Sequence, residues 1–163
     1  MKRRRIAALL AFLSILTLCG CGAKPVRTVS MEALRQNMTA AAPSLPEMKS
    51  VSDEDEKAQE LFAYLSDMDY GKVDHFFLTY SSKGLADEIA VIAVKDPADA
   101  ADAKASLENH LKNRIRLYTQ YSPDQVSRVE NAELFIKDRY VVLIVCDEAD
   151  AVKKAFTVST AEG

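Results

Sequence analysis

The chain has 163 residues, 48% of them hydrophobic, with 21 lysine and arginine against 24 aspartate and glutamate. That length supports one ordinary domain with a core of its own and leaves no room for two full ones. Four of the 21 basic residues fall within the first five positions, so the rest of the chain holds 17 basic against 24 acidic residues, a net charge of −7. Nucleic acid and other polyanions are excluded as partners, because no basic stripe remains to displace their counterions.

The first elements are a basic leader, Lys2-Arg3-Arg4-Arg5, and an apolar run from Ile6 to Leu18 that is short for a permanent membrane span. The run closes on Leu18-Cys19-Gly20-Cys21, and the whole resembles a bacterial lipoprotein signal. Residues 1–20 are expected to be removed and Cys21 to carry lipid. Cys19 is the poorer acceptor, since bulky Leu18 stands where a small residue is needed. Residues 21–29 then form a tether of roughly 30 Å at most. The expected location is the extracytoplasmic face of the cell membrane, with the lipid on Cys21 as the membrane contact. Cys146 would be the other cysteine of the processed chain, so no intramolecular disulfide is available and packing alone must hold the fold.

Residues 30–163 are read as a single domain. Ser30 is an N-cap for a helix to about Thr39, with Met31, Leu34 and Met38 on one side. Pro43 and Pro46 stop it. Ser52 and the acidic run Asp53 to Glu56 open a second helix ending near Leu65, whose inward stripe is Ala58, Leu61, Phe62 and Leu65. The period then becomes extended, and Val73 to Ser81 and Glu88 to Lys95 form a hairpin around Ser82-Lys83-Gly84. Asp96-Pro97 starts a long helix to about Tyr121 that buries Ala103, Leu107, Leu111, Ile115 and Tyr118. A short helical turn follows Ser122-Pro123. Ala132 to Lys137 and Tyr140 to Cys146 form a second hairpin joined at Asp138-Arg139, and Asp147 caps a last helix through about Phe156.

The two hairpins resemble each other: Ile89 to Asp96 followed by Ala98-Asp99-Ala100 echoes Tyr140 to Asp147 followed by Ala149-Asp150-Ala151. The pattern predicts an α+β fold, a four-stranded antiparallel sheet from two hairpin-helix (ββα) repeats with additional N-terminal helices. The second and fourth strands are apolar on both faces and belong at the centre, which gives the order 1-2-4-3. The helix after each hairpin is expected on one face and the N-terminal helices on the other.

Tyr70-Gly71, the hairpin near Ser81-Ser82, Ala86-Asp87-Glu88-Ile89-Ala90, Tyr118 to Pro123 and Tyr140-Val141-Val142-Leu143 together resemble a lipoprotein domain of Gram-positive bacteria, the domain of unknown function DUF4358. The likeness covers about Glu54 to Phe156. It implies a fold and, through Cys21, a lipid anchor; it implies no activity and no catalytic residue.

Reactive constellations are sparse. His75 and His110 stand outside any metal-ligand spacing, and Asp67, Asp69 and Gly71 depart from a calcium loop in the position of glycine and of the closing carboxylate. No metal, cofactor or catalytic residue is expected. Cys146 reads as a buried, inert core thiol, and Ser81 with Lys83 as hairpin-tip residues rather than a serine-lysine pair. The favoured function is a membrane-anchored extracytoplasmic module that binds an envelope protein. A small cell-envelope enzyme comes second and a solute-binding component third, the latter disfavoured by a length too short for two closing lobes. The candidate interaction surface is Lys112, Arg114, Arg116 and Tyr121 on the long helix, a basic and apolar mixture in an acidic chain.

Overall fold

The computed structural model describes residues 30–161. Cys21, the leader and the tether lie outside the described residues. Helix α1 spans Met31–Ala40, and the Ser30 hydroxyl accepts from the Ala33 N–H as the cap chemistry requires. Strands β2 (Val73–Ser81) and β3 (Glu88–Val94), helix α3 (Ala100–Tyr121), the short α4 (Val126–Glu130), strands β4 (Glu133–Lys137) and β5 (Tyr140–Val145), and helix α5 (Ala149–Ala161) follow the pattern of the sequence.

The acidic region before α2 departs from that pattern. The second helix does not begin at Ser52: α2 is only Ala58–Phe62, and Met48–Ser52 is strand β1, paired antiparallel with β2. The sheet therefore has five strands rather than four, in the order β1-β2-β3-β5-β4, antiparallel at every junction. The hairpin strands keep their expected order, and β1 adds outside β2. Its residues, Met-Lys-Ser-Val-Ser, carry almost no alternation. Backbone pairing with the outer edge of β2, rather than apolar patterning, makes it a strand. Asp53 continues the ladder, its N–H donating to the Phe76 carbonyl and its carboxylate meeting His75 Nδ1 at 2.7 Å. The Asp55 carboxylate then accepts from the Ser52 N–H and turns the chain toward α2.

The central strands bury both faces. On the first face Ala90, Ile92, Val141 and Leu143 pack with Phe62 before α3 and with Ala103, Leu107 and Tyr118 of α3. On the second face Ile89, Val91, Val142 and Ile144 pack with Leu34 and Met38 of α1 and with Val152 and Phe156 of α5. The two post-hairpin helices thus lie on opposite faces, and α1 and α2 are likewise split between them. The reason is topological. β3 and β4 are parallel across β5, so α3 is a crossover, and the handedness of crossovers confines it to one face. α5 follows the last strand, crosses nothing, and closes the other face.

Both hairpin turns place one residue in the left-handed region, Gly84 at φ 74° and Asp138 at φ 54°. A Cβ on Gly84 would meet nothing within 4 Å, so the constraint there is conformational rather than steric crowding. Gly84→Ala should cost about 1 kcal/mol in urea unfolding, with unchanged spectroscopic structure.

Candidate functional site

The first face is incompletely covered, and element lengths explain why. β2 is nine residues, roughly 30 Å long, while the five residues of α2 span only about 8 Å. Phe62 at the end of α2 stacks edge-on against Phe76, with Tyr70 closing the group, so this helix seals only the early part of β2. α3 lies over β3, β5 and β4. Between them Val51 of β1 and Tyr80 of β2 stay partly exposed beside buried Leu78, and they line a cleft of about 270 Å³ with Leu61 and Tyr64 on one wall and His110 and Arg114 of α3 on the other.

Glu88 lies in this cleft and is only 1% exposed, an expensive position for a carboxylate unless it is paired. His110 Nε2 is 2.8 Å from Oε1 and Arg114 Nη1 is 2.5 Å from Oε2, so both oxygens are occupied. Because an ionised carboxylate only accepts, the His110 proton is assigned to Nε2. Arg114 Nη2 also donates to the Ala86 carbonyl and the Tyr118 hydroxyl, which in turn donates to the Gly84 carbonyl. Burial pushes the Tyr118 phenol above its usual value and keeps it a donor. Arg114 Nε is buried with no acceptor.

The expected surface on α3 is therefore divided. Lys112, Arg116 and Tyr121 are exposed, with Arg116 held to Asn113 within the helix, whereas Arg114 turns inward to the sheet. Glu88 and His110 were not among the residues that composition and spacing singled out. The available signal was a carboxylate opening a strand apolar on both faces, with two basic side chains one helical turn apart.

The other candidates resolve structurally. Cys146 is half-buried rather than buried: it stands just past the end of β5, beside Arg128, Asp147 and Asp150 in an open polar groove, because the chain leaves the sheet there. Burial pushes its thiol from 9.0 to about 11, only partly offset by a backbone hydrogen bond at Glu148, so the nucleophilic thiolate is scarce at neutral pH. A thiol reagent should modify native Cys146 slowly, well below the rate of the unfolded chain. Its folded value is raised, so its contribution to stability is complete below pH 9 and lost as pH rises to about 11. Cys146→Ala should flatten alkaline unfolding over that window. Ser81 Oγ accepts from the Lys83 N–H within the turn, and Asp69 caps Gly71. Asp87, 2% exposed, takes both its hydrogen bonds from Arg128 Nη1, and Arg128 reaches Asp147 as well. Among the described residues no group of three potential metal ligands occurs, and no helix is long and apolar enough to cross a membrane.

The cleft, its carboxylate and the paired hairpins fall within residues 44–146, the segment matched by a family model described as Domain of unknown function (DUF4358). The chain belongs to that family. The family segment supplies all five strands with α2, α3 and α4, and so the entire cleft; α1 and α5 lie outside it. No curated protein and no solved structure matches the chain.

Proposed function

We propose that the protein is a lipid-anchored, extracytoplasmic binding module whose partner is an envelope protein, contacted through the cleft between α2 and α3. The observation that carries this reading is the cleft itself: apolar and aromatic walls around a charged floor whose carboxylate is already paired. A general acid or base needs an unengaged group within reach of substrate, and Glu88 is fully occupied. Apolar walls with a few oriented polar groups suit recognition. The outward stripe of Lys112, Arg116 and Tyr121 on the adjoining helix extends the contact with charge opposite to that of the chain as a whole.

Two measurements test the reading. Cys21→Ala should abolish incorporation of a tagged fatty acid and move the protein out of the membrane fraction; label that persists removes the anchor. A photocrosslinker at Tyr64 should then capture one discrete protein in intact membranes, and charge reversal at Lys112 and Arg116 should weaken that capture. An absence of any crosslinked partner would remove the binding role.

A further inference from the structure

We infer that two copies of the chain pair edge to edge through β4, joining their sheets about a two-fold axis at Phe135. β1 and β4 end the sheet, so each turns one row of backbone groups away from it. On β1 the row includes Ser50 and Ser52, because the Asp53 N–H bonded to Phe76 makes Ser52 and Phe77 a wide pair. That edge is partly closed: the Asp55 carboxylate takes the Ser52 N–H at 2.7 Å, and Arg35 of α1 reaches Ser50. β4 lacks such cover. The Val94 N–H bonded to Arg139 makes Ala93 and Tyr140 a wide pair, which turns the backbone groups of Tyr140 toward β4. Lys137, Phe135 and Glu133 therefore face β5, and Leu134 and Ile136 face outward. Ile136 is also 41% exposed, a large apolar side chain on an open edge.

The order of charges on β4 selects the occupant. Glu133-Leu134-Phe135-Ile136-Lys137 complements itself when turned end for end. An antiparallel copy aligned on Phe135 sets Leu134 opposite Ile136 of the second copy, and Ile136 opposite its Leu134, so every outward N–H and C=O of the strand finds a partner. Glu133 then stands opposite Lys137 of the second copy, and Lys137 opposite its Glu133. Neighbouring registers fail. One centred on Leu134 calls on Ala132, whose N–H already donates to the Val129 carbonyl, and one centred on Ile136 calls on Asp138, which is in the turn at φ 54°. Lys137 donates to the neutral Thr160 hydroxyl and has no acidic partner among the described residues, while Glu133 uses Oε2 for Lys153 and keeps Oε1. The contact is isologous, so it closes at two copies.

Sedimentation equilibrium of the full chain in density-matched detergent should show a monomer and dimer in exchange. Ile136→Pro removes an outward N–H and no bond of the β4 and β5 ladder, so it should leave a folded monomer. Glu133→Lys and, separately, Lys137→Glu set like charges opposite each other at both ends. Each should weaken self-association about tenfold or more, equivalent to about 1.4 kcal/mol. The two charge variants, differently tagged and mixed, regain attraction at both ends and should pair with each other at the parent's affinity. Thermal unfolding checks that each variant is folded. A parent that stays monomeric, a dimer that survives Ile136→Pro, or charge variants that do not pair with each other overturns the proposal. The cleft lies at the β1 and β2 end of the sheet, so the binding role does not depend on the outcome.

Discussion

Replacing Arg114 with alanine should lower the unfolding free energy by about 3–5 kcal/mol, the range for removing one member of a buried ion pair. The loss comes from what is left behind. Glu88 at 1% exposure would keep only His110, the Ala86 carbonyl would lose a donor, and the Tyr118 hydroxyl would lose the guanidinium 5.3 Å from its ring. For a domain of this size the melting temperature should fall by roughly 10–20 °C. Glu88→Gln with Arg114→Met should recover part of the loss, because the double variant leaves no unpaired buried charge, and a double-mutant cycle measures the coupling directly. If Arg114→Ala melts within a degree or two of the parent, the pair does not hold α3 to the sheet. The same reasoning bears on charge reversal at Arg114. Such a variant would unfold the domain and mimic the loss of a partner, so Lys112 and Arg116, which are exposed and touch no part of the core, are the informative positions on that helix.

The second large effect lies on the opposite face. Phe156→Ala should cost about 3–5 kcal/mol. Phe156 is fully buried, meets Phe135 and Tyr140 edge-on at 5.7 and 5.9 Å, and joins Val152 against Leu34 and Met38 of α1. Among the described residues, α1 with Ala42 and Leu45 just after it, and α5, cover the second face, and both helices lie outside the family segment. A fragment restricted to residues 44–146 would expose Phe77, Ile89, Val91, Val142 and Ile144 together, a contiguous apolar sheet face of the kind that drives association. It is expected to aggregate or remain unfolded, whereas residues 30–161 should melt cooperatively. A monomeric, cooperatively folded 44–146 fragment would show that the second face needs no cover.

The elements that could be read from the sequence are those whose signal is local. Val and Ile on both faces of Glu88–Val94 and Tyr140–Val145 require two covered sides, and that fixes their central place in the sheet. Ser30 and Asp96 carry cap chemistry within three residues: α1 starts directly after Ser30, whereas Asp96 caps a 3-10 turn, Pro97–Asp99, that leads into α3 at Ala100. β1 has no such signal, since a strand made by pairing with a distant edge depends on that edge being present. The site is harder still. Arg114 falls on the same helical face as Leu107, Leu111 and Tyr118, and only its charge makes it read as a surface residue. It turns inward because Glu88, 26 positions earlier, is brought beneath it by the crossover from β3 to β4, and burial of a carboxylate demands a cation there. The cleft is likewise a property of assembly: it exists because a five-residue helix packs on a nine-residue strand, and neither length has that consequence until the two elements meet. What the sequence determined alone is the strand and helix inventory of the hairpin repeats, their order and the acidic balance of the chain. The division of helices between two faces, the buried Glu88 cluster and the opening beside it were decided by tertiary packing, because each depends on the free energy of contacts between residues far apart in the chain.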